Sequence, residues 1–238
     1  MTTLISSLDA RREEFEAHFD LAKALEDRMI LEEESSIGSV SLSARHINTI
    51  KSGLVIHLYN IEEAILTESL RFLGRALGAS EPKHWTQHSL KEWLREAVVG
   101  RLAESGEEGR LETIFSSSSK LMSSASLGPQ LFKKPSGTWD DKAVALFMKR
   151  VKMRIDMPAE MWARIKPIPA YHDRTPLQYL AELRNAIAHG RRTFEEGAND
   201  LQLSDIKTLA DTTLDYLFYV AEAFERHVSD RAYLVPAA

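Results

Sequence analysis

The chain contains no cysteine among its 238 residues. This absence excludes disulfide bonds, thiolate metal sites and cysteine nucleophiles, and it fits the reducing cytoplasm. No apolar run approaches the roughly 20 residues that cross a bilayer. The first segment, MTTLISSLDARREEFEAHF, becomes charged too early for a signal peptide. We therefore expect a cytoplasmic protein without a membrane partner.

Glycine and proline are also scarce, with 11 and 8 residues, and β-branched alternation is rare. Hydrophobic residues instead recur at three- and four-residue steps, which is the period of an amphipathic helix. Long helices are predicted over about 8–33, 41–77 and 139–154, and from Ser204 onward. The fold class predicted from this pattern is an all-α bundle.

Hydroxyl side chains mark where two further helices should begin. Ser89 and Glu92 have capping-box spacing, which predicts a helix that runs to about residue 103. Thr175 before Pro176 is a good pair of N-cap and first-turn residues, and Gly190 is a natural residue to follow the end of that helix. We expect a single domain over 1–238, with a Ser-rich, loop-rich insertion at 104–137.

The stretch ELRNAIAHG, residues 182–190, carries polar groups at the end of the Thr175 helix. At about 100° per residue, Asn185 and His189 lie one turn apart on nearly the same face. Arg184 lies beside that face, while Leu183 and Ile187 point into the bundle. The three polar side chains therefore share one edge of an anchored helix.

This group of side chains suits phosphodiester cleavage without a metal. Imidazole can exchange a proton near neutral pH. Guanidinium is a permanent cation whose planar donors match phosphate oxygens. A base would remove the proton of a ribose 2′-hydroxyl, the oxygen would attack the neighbouring phosphorus, and the cation would stabilise the charge that develops on the phosphate. Arg191 and Arg192 follow directly and are candidates for holding the RNA strand.

The structural alternative is that this spacing has no catalytic meaning. Arg11 and Arg12 precede His18 at only slightly looser spacing, in a helix that looks ordinary. A non-catalytic helical module that binds a partner protein or nucleotide therefore stands beside the ribonuclease hypothesis.

The segment LRNAIAHG resembles the Arg-x4–6-His signature of the HEPN superfamily, including the asparagine that often follows the arginine. GLVIHLYNIEEAILTESL, at 53–70, is similar to the second helix of single-domain bacterial HEPN-like nucleases. SGTWDDKAVALFMKRV and RRTFEEGANDLQLSDIKTL are similar to later segments of the same group. The resemblance covers roughly 10–75 and 136–225 and is weak over the Ser-rich middle.

The resemblance implies a HEPN-like helical bundle that forms a homodimer, with two motif helices facing each other across a composite cleft. It implies metal-independent endoribonuclease activity without a cofactor, with Arg184 and His189 as the catalytic pair and Asn185 assisting. It also implies a toxin–antitoxin or phage-defence setting, with RNA as substrate and an antitoxin or defence protein as partner. Some HEPN toxins carry a tyrosine two residues after the histidine, which a partner nucleotidyltransferase modifies, but this chain has Arg191 there.

Other polar residues are weaker candidates. Glu63 could support Arg184 or His189, with Asn60 nearby on the same helix, although a solvated or structurally paired carboxylate is the alternative. A positive run of Lys149, Arg150, Lys152 and Arg154 is either an RNA-binding track or a solvated helix face. No carboxylate or cysteine pattern completes a metal site around the histidines of KHWTQH, so no metal site is expected.

Overall fold

The computed structural model describes residues 3–31, 35–102, 106–134 and 137–236. These residues form α-helices, joined by short 3₁₀ turns, and one two-stranded antiparallel hairpin that pairs β1 (Ser36–Ile37) with β2 (Val40–Ser41). The α-helices are α1 (Leu4–Ile30), α2 (Ala44–Gly78), α3 (Gln87–Leu94), α4 (Gly100–Leu102), α5 (Glu107–Met122), α6 (Asp141–Arg150), α7 (Ala159–Arg164), α8 (Pro176–Ala188) and α9 (Leu203–Ser229). The predicted all-α class is confirmed.

The chain divides into two compact units. The first comprises Met1–Ile65, Thr138–Asp141 and Met157–Tyr219, and the second comprises Leu66–Gly137, Lys142–Asp156 and Val220–Ala238. The long helices α2 and α9 each contribute residues to both units. The single-domain organisation over 1–238 stays a prediction.

The core of the first unit is built from the apolar stripes of α1, α2, α8 and α9. These stripes follow the helical period, so each helix buries one side. Ion pairs tie α1 to α9, with Arg12 Nη2 2.9 Å from Asp215 Oδ1 and Lys207 Nζ 3.0 Å from Glu16 Oε1. Buried side chains of this core include Leu8, Phe15, Leu54, Leu58, Ile61, Leu177, Leu180, Ile206, Leu209 and Leu217.

Aromatic side chains pack in pairs in the core of the second unit. Phe147 of α6 stacks on Phe224 of α9 with ring centroids 6.0 Å apart, and Trp85 meets the edge of Trp93 at the same distance. The segment after α5 runs close along the end of α2, where Gly128 N–H donates to the Gly78 carbonyl at 3.0 Å. A Cβ at Gly78 would overlap the Gly128 carbonyl, so the absence of a side chain is what permits this approach.

Several predicted helix ends differ from those observed. Thr86, rather than Ser89, is the N-cap of α3, because its hydroxyl accepts from Ser89 N–H at 3.1 Å. After Leu94 the helix widens into a π-helical stretch over Arg95–Val99. The helix predicted over 139–154 is shorter at both ends: α6 begins at Asp141 and ends at Arg150, because Lys152 adopts φ +55° and breaks the helical path. Residues 32, 33 and 103, at the ends of two predicted helices, lie outside the described residues.

The predicted loop-rich insertion at 104–137 is wrong over much of its length. Its serine run lies inside α5, which spans sixteen residues from Glu107 to Met122. Serine has only a modest helical penalty, so the good helix formers on either side carry the run. Residues 123–134 contain no helix or strand, as predicted. Residues 104, 105, 135 and 136 lie outside the described part of the chain.

Candidate functional site

Helix α8 begins as its sequence predicts. The Thr175 hydroxyl accepts a hydrogen bond from Gln178 N–H at 3.2 Å, and Pro176 occupies the first turn. The same hydroxyl donates to the Asp141 carboxylate, which ties the start of α8 to the start of α6. Leu177 and Leu180 are fully buried. The helix is therefore fixed at its first turn and along its apolar side.

The other end of α8 presents His189 to solvent. His189 is the C-cap, and its backbone N–H donates to the Asn185 carbonyl at 3.1 Å. Gly190 follows with φ +68°, the left-handed conformation that ends a helix and that glycine adopts without strain. Among the described residues the His189 imidazole has no hydrogen-bond partner, and the residue is exposed. The ring is therefore accessible for proton exchange.

The Arg184 guanidinium contacts three side chains. Its Nη1 donates to Asn185 Oδ1 at 3.0 Å, and its Nη2 lies 3.7 Å from Glu63 Oε2 on α2. Its Cζ lies 4.6 Å from the ring centroid of Tyr59, one turn before Glu63 on the same helix. A cation over an aromatic face is attracted by the ring quadrupole. The arginine side chain is 29% exposed, so the planar group is oriented and still reaches solvent.

Asn185 links the arginine to the segment before α6. Its Oδ1 accepts from Arg184, and its Nδ2 donates to Thr138 Oγ1 at 3.1 Å. Both polar ends of the amide are therefore used, which fixes which end faces the arginine. The amide therefore holds the Arg184 guanidinium in one orientation.

Two groups on the stretch of α2 that carries Glu63 have raised pKa values, Tyr59 and Glu62. Burial raises the pKa of Tyr59 to about 12, with the charges of Glu63 and Glu62 adding to the effect. Burial also raises the pKa of Glu62 well above its usual range, with Asp140 and Asp141 as further causes. Glu62 is 0% exposed, and neither of its carboxylate oxygens has a hydrogen-bond partner among the described residues. Desolvation disfavours the charged form of both groups.

A family model, described as HEPN_MAE_28990-like HEPN, matches residues 1–233. The chain belongs to this HEPN family. The match spans both compact units and confirms the resemblance stated from the sequence. It supports a nuclease-type or RNA-related function. The searches of curated proteins and of solved structures found no match.

The structure brings only some of the predicted residues of this HEPN protein together. Arg184, Asn185 and Glu63 are in contact, directly or through one another. Asn60, the other proposed supporting residue, is exposed on α2, and its side chain has no hydrogen bond with the described residues. His189 shares the α8 edge with Asn185 through their backbone hydrogen bond.

The two arginines that follow the HEPN motif differ in their surroundings. Arg191 is exposed, and the only hydrogen bond found for it among the described residues is its backbone N–H to the Ala186 carbonyl, at 2.8 Å. Arg192 instead turns back to its own loop, where Nη1 donates to the Gly197 carbonyl at 3.2 Å and lies 3.4 Å from Asp200 Oδ1. Of the two arginines, only Arg191 has a side chain without a hydrogen bond among the described residues.

Two residues of the site were missed from the sequence. Tyr59 lies one turn before Glu63 on α2, so helical spacing places it on the same side of the helix as Glu63. Its contact with Arg184 depends on how α2 packs against α8. Thr138 is the second such residue. No local pattern connects it with Asn185, because the two are 47 residues apart in the chain.

Among the residues that the structure describes, no group of three or more His, Asp or Glu side chains is arranged to hold a metal ion. None of the described helices combines the length and apolarity that a membrane crossing requires.

Proposed function

We propose that this HEPN protein is a metal-independent endoribonuclease, with Arg184 and His189 as catalytic residues and Asn185 assisting. The observation that carries the proposal is the state of the Arg184 guanidinium. It is held on the buried Tyr59 ring and bonded to Asn185, while the His189 imidazole is open to solvent at the end of the same helix. Pre-oriented charge beside an accessible proton carrier is the requirement for this chemistry.

The proposed reaction is an internal transfer at phosphorus. A base takes the proton of the ribose 2′-hydroxyl, the 2′-oxygen bonds to the adjacent phosphorus, and the bond from phosphorus to the 5′-oxygen breaks. The departing oxygen takes up a proton, which leaves a 2′,3′-cyclic phosphate and a 5′-hydroxyl. His189 handles one of the two protons. Arg184 stabilises the charge on the phosphate oxygens, since its one hydrogen bond within the described residues, to Asn185, uses only one of its five N–H donors.

The second proton carrier would come from a second copy of the chain. We infer a homodimer in which the two α8 ends face one composite cleft. The exposed Ala188 beside His189 supports this arrangement, because its small side chain lets another backbone approach closely. Arg191 of each copy would contact the RNA strand.

A toxin or phage-defence effector, controlled by an antitoxin or defence partner protein, is the proposed biological setting. Arg191 stands where some HEPN toxins have a modifiable tyrosine. Control through nucleotidylation of that position is therefore not part of the proposal.

The test is cleavage of total RNA and of transfer RNA by the parent protein and by His189→Ala, in excess EDTA. The parent should cut and the variant should not. His189 is exposed and makes no side-chain hydrogen bond with the described residues, so helical content by circular dichroism should be unchanged. His84→Ala removes another exposed histidine and is the matched control, with parental activity expected. Full cleavage by His189→Ala, or EDTA inhibition reversed by a divalent ion, would contradict the proposal.

A second candidate function is a non-catalytic module that binds a partner protein or nucleotide. The ion pair between Arg184 and Glu63 favours it, because a guanidinium already paired with a carboxylate has less to offer a phosphate. This candidate predicts that no RNA is cleaved even at high protein concentration. The same incubation therefore separates the two functions.

A further inference from the structure

Helices α3 and α6 build a concave cationic surface within the second compact unit, which we call the α3–α6 basic surface. It encloses a depression of about 310 Å³. Its lining contains four cations and one carboxylate, which gives 4 − 1 = +3 with neutral histidine, in a chain whose formal net charge is −5. The lining residues are His88, Lys91, Glu92, Arg95, Leu146, Lys149 and Arg150.

Glu92 anchors the two arginines of this surface from below. It is 1% exposed, and its Oε2 accepts from Arg95 Nε at 3.2 Å. Its Oε1 lies 3.6 Å from Arg150 Nη1, too long for a good hydrogen bond, and has no other partner among the described residues. One buried carboxylate therefore orients guanidinium groups from two helices, and each keeps further N–H donors for an external anion.

The two lysines add charge that nothing in the described structure neutralises. Lys91 and Lys149 are exposed, one on α3 and one on α6, and neither has an ion-pair partner among the described residues. A solvated helix face normally mixes both signs of charge. Here cations from two helices converge on one depression with a single, buried carboxylate, which the solvated-face interpretation does not explain.

We propose that the α3–α6 basic surface binds the phosphate backbone of RNA, separately from the Arg184–His189 site. The identity of the polyanion as RNA rests on the proposed ribonuclease function. Arginine forks match phosphate oxygens and lysines act as point charges beside them. The depression suits phosphates that project from a strand, whereas a flat bilayer could not enter it. The charge of the lining is carried mainly by these cations, which contact phosphates without reading bases, so we expect binding to be independent of sequence.

The test compares RNA binding by Lys91→Gln/Lys149→Gln with that by a matched control, Lys23→Gln/Lys120→Gln. The control removes the same charge from two exposed lysines outside the surface. Both pairs are placed in a His189→Ala background, and binding to labelled RNA is followed by fluorescence polarisation over a range of salt concentrations. Loss of two phosphate contacts should weaken binding and lower the slope of log K against log salt by about 1.4 for a single strand. The control should keep the slope of its background.

The outcomes separate this inference from the proposed function. If the parent cleaves RNA but Lys91→Gln/Lys149→Gln binds it with unchanged affinity and slope, the basic surface has no such role and the function stands. If Lys91→Gln/Lys149→Gln weakens RNA binding but the parent never cleaves RNA, the basic surface binds RNA and the ribonuclease function is wrong. A parallel arm uses vesicles containing phosphatidylserine. Dependence on Lys91 and Lys149 there, without dependence in RNA binding, overturns the choice of RNA.

Discussion

Replacing Arg184 by lysine separates charge from geometry at the proposed site. Lysine keeps the positive charge but replaces the planar fork with a single ammonium group. The fork now bonds Asn185 at 3.0 Å, lies 3.7 Å from Glu63 and stacks 4.6 Å from the Tyr59 ring centre. One ammonium cannot keep all three contacts, so the variant tests whether orientation matters beyond charge.

The expected losses differ in size for folding and for catalysis. A hydrogen bond from a charged donor contributes roughly 1.5 kcal/mol or more. A partly exposed cation–π contact adds about 0.5–1 kcal/mol, and the Glu63 pair less than about 1 kcal/mol. Because lysine would retain part of these three interactions, Arg184→Lys should lower the free energy of unfolding by about 1–2 kcal/mol. Loss of one pre-oriented donor to the developing charge should slow cleavage roughly 10²–10³-fold.

The assay is single-turnover RNA cleavage at saturating protein, with urea unfolding of the same samples. Arg174→Lys is the matched control, because Arg174 Nε lies 2.7 Å from Glu182 Oε2 in a half-exposed ion pair. Glu182 precedes Arg184 by two residues, which places it about 200° around α8, on the opposite side of the helix. The control should cleave at the parental rate. If Arg184→Lys cleaves within about threefold of the parent while remaining folded, the fork geometry has no catalytic role and the reasoning fails.

Two further predictions concern stability. The raised pKa of Glu62 means that the folded state binds the carboxyl proton more tightly than the unfolded state does. Its contribution to the free energy of unfolding is complete below the pKa of the unfolded state, about 4.3, and is lost as the pH rises toward the pKa of the folded state. Glu62→Gln cannot ionise at this position. In urea titrations, the free energy of unfolding of the variant relative to that of the parent should therefore increase from pH 5 to pH 8. A difference that stays constant over this range would refute the raised pKa of Glu62. Gly78→Ala should destabilise the chain by about 1–3 kcal/mol, because its Cβ would overlap the Gly128 carbonyl. A rise in melting temperature, as helix propensity alone predicts, would contradict that packing.

Local chemistry was sufficient to predict α8. Thr175, Pro176 and Gly190 act on backbone groups within a few residues, so the start and end of the helix could be predicted before any contact was known. The end of α6 could not. There a non-glycine residue, Lys152, adopts positive φ, and Met153 N–H closes onto the Met148 carbonyl at 2.9 Å. No residue type signals that ending.

The candidate site divides in the same way. The positions of Asn185 and His189 on α8 follow from helical spacing. Glu63 was identified because residues 53–70 resemble the second helix of HEPN-like nucleases. The contacts of Tyr59 and Thr138 depend on which helix packs against which, and that is decided by the apolar sides of α2 and α8 rather than by the polar residues themselves. Arg192 is a further case, because its loop folds back and engages its side chain, a contact that the sequence does not predict. Its RNA-binding role stays a prediction.

The chemistry of the cut RNA ends tests the proposed attack of the 2′-hydroxyl most directly. Parent protein, freed of divalent ions, is incubated with transfer RNA, and the products are analysed by mass spectrometry beside those of His189→Ala. We predict that the parent yields 2′,3′-cyclic phosphate and 5′-hydroxyl ends and that the variant leaves the RNA intact. Products with a 5′-phosphate and a 3′-hydroxyl, or identical products from both proteins, would contradict it.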